Sequence, residues 1–302
     1  MVTIGETMAL FWAEDDAGLE RATLYRRSFA GAESNVCVAL ARLEHRSRWI
    51  SRLGDDAFGR HIRTGLEREG VLVDAAVDQD APTGVFFKER AREGPRQVVY
   101  YRDGSAASRL APRDLAAAQV AGARVLHLTG ITPALSPSCA AAVDRAIDLA
   151  RAADMLICVD PNVRLRLWPS ADACRRALLA LIARADVALI GHEDAAILFP
   201  DHDVDAVLAA VRALGPRRVV LKRGAQGAVA ETDEGRVAVP AYAVATIDTV
   251  GAGDGFDAGF LAGLLEGAPL PQCLVLGARV GAAAVAHVGD WEGYPRRGEI
   301  GL

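Results

Sequence analysis

The chain has 302 residues, of which 51% are apolar and 24% are charged, and its formal net charge is −5. This acidic balance argues against nucleic acid or an anionic membrane as the main partner, and it favours a small-molecule ligand. The length allows one large α/β domain with a substantial core, and no second domain is required.

The sequence carries no pattern typical of export or membrane insertion. No apolar run reaches the length of a bilayer span, and the amino terminus lacks a basic, apolar and cleavage-site pattern. The five cysteines are odd in number, widely spaced and without the pairing that a zinc site needs. We therefore expect a cytoplasmic protein whose cysteines are reduced and mostly buried.

The amino-terminal part predicts a strand, a lid and a helix in that order. Residues 2–4 form an apolar strand, and residues of about 9–30 alternate weakly and carry charge, which favours short exposed strands. A glycine turn at Gly31 then precedes an amphipathic helix that runs to about residue 43. Asn35 lies in its first turn, where it either caps the helix or offers a donor and an acceptor to a ligand hydroxyl.

A second set of lid strands is predicted between residues 83 and 105, with a polar turn at residues 90–96. Because side chains alternate along a strand, Tyr100 and Arg102 share one face and Tyr101 lies on the other. If the shared face covers a ligand, it offers a hydroxyl group and a bidentate donor for a carboxylate. The alternative is an ordinary aromatic strand with an exposed arginine.

After residue 112 the chain repeats strand and helix, which predicts a parallel sheet with helices on both sides. His127 lies inside an apolar strand, and we expect a core histidine with its hydrogen bonds satisfied. The buried strand at residues 156–159 ends in Asp160, Asn162 and Arg164. In open α/β sheets, ligands bind beyond the carboxyl ends of strands, so these side chains are candidates for ligand contacts.

Two later strands also end in polar or glycine-rich turns. One strand, at residues 187–190, is followed by Asp194 at the start of a helix. The other leads into a strand–turn–strand segment that contains Lys222, Gly224 and Gly227. This segment either lines a nucleotide or is a plain hairpin with a solvated lysine.

The stretch at residues 247–260 predicts a strand, a glycine turn and the start of a helix. Gly251 and Gly253 allow backbone N–H groups to turn toward an anion at a helix amino terminus. Asp254 lies in that turn and is either a helix cap or a catalytic base. Asp257, one helical turn further on, adds negative charge to the helix start or raises the pKa of Asp254. A further helix is predicted over residues 277–291.

Several of these segments resemble the ribokinase-like (PfkB) sugar kinases, and within them the 2-keto-3-deoxygluconate kinases. The matching motifs are Gly-Asp-Asp-x-Phe-Gly at residues 54–59, Tyr-Tyr-Arg-x-x-Ser-Ala at 100–106, Asp-x-Asn-x-Arg at 160–164 and Asp-Thr-Val-Gly-Ala-Gly-Asp at 248–254. The resemblance implies one three-layer α/β domain over residues 1–302, with a mostly parallel central sheet and a small β lid.

The resemblance also implies a reaction, in which ATP with Mg²⁺ phosphorylates a sugar acid, and a role for each matching residue. Asp254 is the implied base, assisted by an anion hole at Gly251, Ala252 and Gly253. The implied sugar contacts are Gly31, Ala32, Asn35, Tyr100, Arg102 and Arg164. The implied nucleotide contacts are Asn162, Arg164, Lys222, Gly224, Gly227, Gly251 and Gly253.

The sequence departs from the family at two of these places. Gly191 and Asp194 replace an Asn-x-x-Glu motif that organises magnesium through water, so the metal role carries over to Asp194 alone. Ala278 stands where the family often has an asparagine near the adenine. A few residues precede the first strand in the family, which would make Met1 a late or trimmed start.

Other functions remain open at this stage. The substrate could be another sugar, such as fructose, ribose or 5-keto-2-deoxygluconate, or the fold could bind a sugar without catalysis. A Rossmann dehydrogenase is excluded because the glycine turn lacks the third glycine and the following acidic residue. In the family the lid strands pair between subunits, which favours a homo-oligomer here.

Overall fold

A computed structural model describes residues 1–15, 18–89, 97–201 and 203–300. Its strands are β1 (Val2–Ile4), β2 (Met8–Ala13), β3 (Tyr25–Ala30), β4 (Arg48–Gly54), β5 (Leu72–Asp78), β6 (Val85–Lys88), β7 (Val98–Tyr101), β8 (Val125–Thr129), β9 (Leu156–Asp160), β10 (Val187–Gly191), β11 (Arg218–Lys222), β12 (Ala228–Thr232) and β13 (Gly235–Val239). Its helices are α1 (Ala32–Arg42), α2 (Ala57–Arg68), α3 (Ala117–Val120), α4 (Thr132–Leu135), α5 (Pro137–Ala152), α6 (Ala171–Ile182), α7 (His192–Leu198), α8 (Val204–Leu214), α9 (Ala252–Glu266) and α10 (Leu270–Val285).

The described strands form a large sheet and a small one. The large sheet has the order β13-β12-β11-β10-β9-β8-β1-β4-β5, and β12 and β13 are its antiparallel strands. The other neighbours in that order pair in parallel, which confirms the predicted sheet. The carboxyl ends of these parallel strands therefore meet at one edge.

Helices cover the large sheet on both faces. One buried apolar cluster joins the sheet to helices α5, α6, α7 and α8, and the other joins it to α1, α2, α9 and α10. This three-layer arrangement follows from strands that are apolar on both faces, because each face must be covered to exclude water. It confirms the sandwich that the resemblance implies.

The small sheet is the predicted lid, with the strand order β3-β2-β6-β7. The expectation that residues 9–30 are exposed is wrong for β2, which is almost entirely buried. A small apolar cluster explains the burial: Met8, Leu10 and Trp12 of β2 pack with Ala30 and Phe86. The proposed turn at residues 90–96 lies outside the described residues.

His127 lies in the core, as expected, but its hydrogen bonds are not satisfied. The side chain is fully buried on β8, and neither ring nitrogen has a partner among the described residues. Burial disfavours the charged ring and lowers the pKa of His127 to about 4. The imidazole is therefore neutral at neutral pH.

Two predicted elements near the carboxyl end differ from the structure. Residues 247–250 do not form a strand; instead the N–H groups of Ile247 and Asp248 donate to the carbonyl of Val285, at 2.7 and 3.2 Å. The last long helix is α10, so it begins before the predicted residue 277 and ends before 291. Ile247 and Val250 are apolar but exposed, and their segment pairs with the end of α10 instead of with a strand.

The expectation about the cysteines is confirmed, since all five are buried and free. None of the helices in the described part of the chain combines the length and the apolar character that crossing a membrane needs.

Candidate active site

The amino end of α9 lies against the edge where the parallel strands of the large sheet end. Asp254 is in the first turn of α9, and the Nδ2 group of Asn35 on α1 donates to its Oδ2 atom at 2.8 Å. The Oδ1 atom of Asn35 also accepts from the N–H of Gly31 at 3.4 Å. Asn35 therefore makes hydrogen bonds both to the start of its own helix and to the carboxyl group of Asp254.

The environment of Asp254 tunes its acidity toward neutral pH. Desolvation raises the pKa of Asp254 to about 7, and the nearby charge of Asp160 adds to the rise. The hydrogen bond from Asn35 and the charges of Lys222 and Arg164 act in the opposite direction. A general base is most effective with a pKa near the working pH, so Asp254 has the acidity that this role needs.

The turn at residues 251–254 begins at Gly251, which has a left-handed backbone with φ of 78°. A Cβ atom there would lie 1.8 Å from the carbonyl oxygen of Asp290, so no larger residue fits. The N–H groups of Gly253 and Asp254 have no acceptor within the helix, while that of Ala252 lies 3.4 Å from the carbonyl of Thr249. The turn can therefore bind an anion chiefly through Gly253 and Asp254.

Lys222, at the end of β11, is not a solvated lysine. Its Nζ atom donates to Asp160 at 3.0 Å and to Asp257 at 2.8 Å, and it lies 3.8 Å from where a Cβ atom of Gly253 would be. Burial lowers the pKa of Lys222, but attraction to the two carboxylates outweighs it and raises the pKa above its usual value. A fixed ammonium group therefore lies beside the 251–254 turn.

Asp257 makes a contact that the sequence did not predict. It is fully buried and contacts Lys222, and burial raises its own pKa well above the usual range. Asp160 is the carboxylate that raises the pKa of Asp254. Burial raises the pKa of Asp160, but the attraction of Lys222 and the hydrogen bonds from Asp257 and Lys222 together outweigh it, so the pKa of Asp160 is lowered.

The glycine turn after β11 has the predicted strand–turn–strand form. Gly224 and Gly227 both have positive φ angles, of 54° and 79°. A Cβ atom on Gly227 would lie 2.0 Å from the carbonyl oxygen of Val239. Packing of β13 is therefore sufficient to explain the glycine at position 227, whereas Gly224 faces more open space.

Tyr100 and Arg102 lie on the same side of the lid, as the alternation predicted. The guanidinium carbon of Arg102 is 5.9 Å from the ring centre of Tyr100, and that ring stacks on Phe86. Tyr101 contacts Phe87 on the other face. The predicted geometry of this strand is thus present.

Glu6 is a residue of the site that the sequence reasoning missed. It follows β1, is buried, and accepts from the Nε atom of Arg102 at 2.8 Å and from the hydroxyl of Ser105 at 2.5 Å. The rule that ligands bind beyond strand ends would have found it, because it lies just after the first strand. Arg102 therefore has a buried carboxylate partner of the same chain.

Gly31 and Ala32 lie at the start of α1. A Cβ atom on Gly31 would be 2.1 Å from the carbonyl oxygen of Glu6, so the close approach at this glycine is made by the chain itself. Asn35 follows one turn later on the same helix.

The segment after β9 contributes Asn162 and Arg164. Asn162 has a positive φ of 39° and is buried, and Arg164 is exposed, with its charge lowering the pKa of both Asp194 and Asp254. Asp194 accepts from the N–H of Val163 at 2.9 Å, and burial raises its pKa to about 6. Three neighbouring strand ends and α9 thus bring basic and acidic groups together.

The described side chains offer a carboxylate to a magnesium ion but do not form a complete metal site by themselves. Within residues 1–15, 18–89, 97–201 and 203–300, no three His, Cys, Asp or Glu side chains are grouped to hold a metal. Mg²⁺ is commonly bound by one or two carboxylates together with substrate phosphates and water. Asp194 is the carboxylate available for that arrangement.

Comparison with known proteins agrees with this geometry. A model of the pfkB family carbohydrate kinases matches residues 1–297. The 2-dehydro-3-deoxygluconokinase of Bacillus subtilis is 36% identical, over 99% of this chain and 93% of its own length.

Two solved structures have the same fold. A PfkB protein from Polaromonas sp. JS666 is 37% identical with a TM-score of 0.91, over 99% of this chain and 98% of its own. A putative ribokinase II from E. coli in complex with ATP and Mg²⁺ is 25% identical with a TM-score of 0.92, over 99% and 96%. The chain belongs to the pfkB family of carbohydrate kinases.

Proposed function

We propose that this protein transfers the γ-phosphoryl group of ATP, bound with Mg²⁺, to the 6-hydroxyl of 2-keto-3-deoxygluconate, which is also called 2-dehydro-3-deoxygluconate. The observation that carries the proposal is Asp254, held by Asn35 at the start of α9 with a pKa of about 7. The name of the Bacillus subtilis relative supports the choice of sugar.

Asp254 takes the proton of the sugar hydroxyl. In its ionised form the carboxylate accepts that proton as the oxygen attacks phosphorus, and the Asn35 amide holds the carboxylate in place. Asn35 is itself buried in α1, so it loses little freedom when it positions the base.

The charge of the transferring phosphoryl group is balanced by several fixed groups. The N–H groups of Gly253 and Asp254 and the positive end of α9 face the anion, and Lys222 adds an ammonium group beside them. Arg164 is exposed at the same edge and can contact phosphate or sugar. Mg²⁺ supplies additional charge neutralisation when it is bound, and Asp194 is the residue that would hold it through water.

The lid offers the groups that bind the carboxylate of the sugar acid. Tyr100 offers a hydroxyl, and Arg102 offers its guanidinium group from the same face. Since Glu6 already accepts from Arg102, the sugar carboxylate must share that guanidinium group with Glu6. This shared arrangement also supports a second candidate, a neutral sugar such as fructose, for which Arg102 would donate to hydroxyl groups.

We also propose that the lid strands join two copies of the chain. The edges of the described lid sheet are β3 and β7, and Tyr101 at the end of β7 is 65% exposed. Exposed strand edges offer unpaired N–H and C=O groups to a second copy. Sedimentation equilibrium should therefore give a mass above the 31.9 kDa of one chain, and a monomer at micromolar concentrations would contradict the proposal.

Replacing the base should abolish most of the turnover. We expect Asp254→Asn to lower kcat by about 100- to 10,000-fold, because the amide cannot accept the hydroxyl proton. Formation of the 6-phosphate from ATP and 2-keto-3-deoxygluconate measures this, with sugar binding by calorimetry as the control for folding. Wild-type turnover in Asp254→Asn would remove Asp254 as the base.

The dependence of kcat/KM on pH should report the titration of Asp254. The base works ionised, so activity should be lost as the pH falls through about 7, and at pH 6 kcat/KM should be about tenfold below its plateau. Because the Asn35 hydrogen bond lowers the pKa of Asp254, Asn35→Ala should move the midpoint to higher pH. Gln272→Ala, on an exposed side chain near the start of α10, is the matched control and should leave the midpoint unchanged.

Arg102 should distinguish acid sugars from neutral ones. A hydrogen bond to a charged group contributes about 1.5–3 kcal/mol, so Arg102→Met should raise KM for 2-keto-3-deoxygluconate by roughly 10- to 150-fold. The KM for fructose should change much less.

The double variant Arg102→Met/Glu6→Gln controls for the buried carboxylate that Arg102→Met leaves without its partner. It should show the same selective loss. An equal loss for both sugars would favour the neutral-sugar candidate.

A further inference from the structure

The lysine of the lid, Lys88, lies away from the groups that are proposed to contact substrate. It ends β6 and is 3% exposed, and its Nζ atom donates to Asp248 at 2.7 Å and to Asp290 at 3.2 Å. Both aspartates are buried as well. One ammonium group therefore joins lid strand β6 to two other segments. Asp248 lies in the segment before α9, and Asp290 lies in the segment after α10.

Asp248 connects this ammonium group to the start of the 251–254 turn. Its Oδ1 atom accepts from the N–H of Val250 at 3.1 Å, while its Oδ2 atom is bound by Lys88. The segment from Asp248 to Val250 has no regular secondary structure, so these side-chain contacts take the place of a strand's hydrogen bonds. The position of the turn depends on the position of this carboxylate.

Asp290 connects the same ammonium group to the other side of the turn. Its carbonyl oxygen would be 1.8 Å from a Cβ atom on Gly251, so the two backbones are in direct contact. The hydroxyl of Tyr294 donates to the carbonyl of Gly251 at 2.8 Å from the same segment. Lys88 therefore contacts both segments that lie beside Gly251: the segment before it in the chain, through Asp248, and the segment packed on it, through Asp290.

The segment that carries Asp290 is also attached to lid strand β3. The indole N–H of Trp291 donates to the carbonyl of Phe29 at 2.8 Å, and the hydroxyl of Ser28 donates to Glu292 at 2.6 Å. The lid is thus attached to this segment at more than one point. Unlike the hydrogen bonds of Trp291 and Ser28, the ammonium group of Lys88 contacts both Asp248 and Asp290.

We propose that Lys88 is a positioning residue for phosphoryl transfer: its ammonium group holds the 251–254 turn in the geometry that binds the phosphoryl group and makes that geometry depend on the lid. The ammonium group ties both carboxylates to β6, so its loss should release Asp248 and Asp290 from this lid strand and displace the turn. The inference rests on the proposed role of Asp254 and its turn.

The first test removes the ammonium group and returns it. Lys88→Ala should lower kcat by about 100-fold, with KM for the sugar within about threefold, because a displacement near 1 Å at the reacting centre has an effect of this size. Propylammonium has the atoms that the substitution deletes, and adding it should restore kcat. Tetramethylammonium at the same ionic strength has no N–H group to donate to either carboxylate and should not restore kcat.

The second test separates positioning from stability. Lys88→Met/Asp290→Asn keeps the summed charge of Lys88, Asp248 and Asp290 but removes the contact of Lys88 with the two aspartates. Its unfolding midpoint in urea should therefore be close to that of the wild type, while its kcat stays low. Arg48→Met is the matched control, since it breaks a partly exposed ion pair with Asp74 far from the turn and should leave kcat unchanged.

Each result decides the proposal. Wild-type kcat in the double variant, or folded Lys88→Ala that propylammonium does not restore, would overturn it. Variants that stay unfolded even with propylammonium would also overturn it, because they would assign Lys88 to the stability of the fold. A wild-type protein without turnover on any sugar would instead contradict the proposed function.

Discussion

Two ammonium groups contact aspartates around the turn at residues 251–254, and the rest of the site depends on that arrangement. Lys222 contacts Asp160 and Asp257 on one side, and Lys88 contacts two further aspartates on the other. A buried carboxylate and a buried ammonium group each need the other, because removing either leaves an uncompensated charge out of water. The paired charges therefore fix loops that have no regular hydrogen bonding of their own.

The same charges separate the chemical roles of three neighbouring carboxyl groups. Asp160 keeps its negative charge beside Lys222, Asp257 has a strongly raised pKa, and Asp254 has a pKa of about 7. Asp160 and Asp257 are both buried against Lys222, and their pKa values separate because a hydrogen bond between the two side chains lowers the pKa of Asp160 and raises that of Asp257. The group with the intermediate acidity is the one that lies at the helix start and contacts Asn35.

Different constraints account for the glycines at different positions of the site. Gly31 and Gly227 are required by the close approach of the chain's own backbone, at Glu6 and Val239. Gly253 faces Lys222 and open space, so its missing side chain leaves room for a ligand. A glycine-rich motif in this protein therefore combines packing constraints with binding constraints, and only the contacts around each glycine distinguish them.

The sequence by itself determined the order of strands and helices and the parallel sheet, and its family resemblance assigned Asp254 and Asn35 to one site. These features follow from local periodicity, from turn residues and from motifs whose residues lie close together in the chain. It also predicted a strand at residues 247–250 and an exposed β2, and both were wrong, because burial is decided by elements that are distant in sequence.

Only the tertiary structure decided which charged side chains contact each other. The pairs of Glu6 with Arg102 and of Lys88 with Asp248 join residues 96 and 160 positions apart, and nothing in the local pattern at either end names its partner. Such pairs depend on the strand order of two different sheets and on the angle between them. The helix start that carries Asp254 could be predicted from the sequence, whereas the charges that hold it in place required the fold.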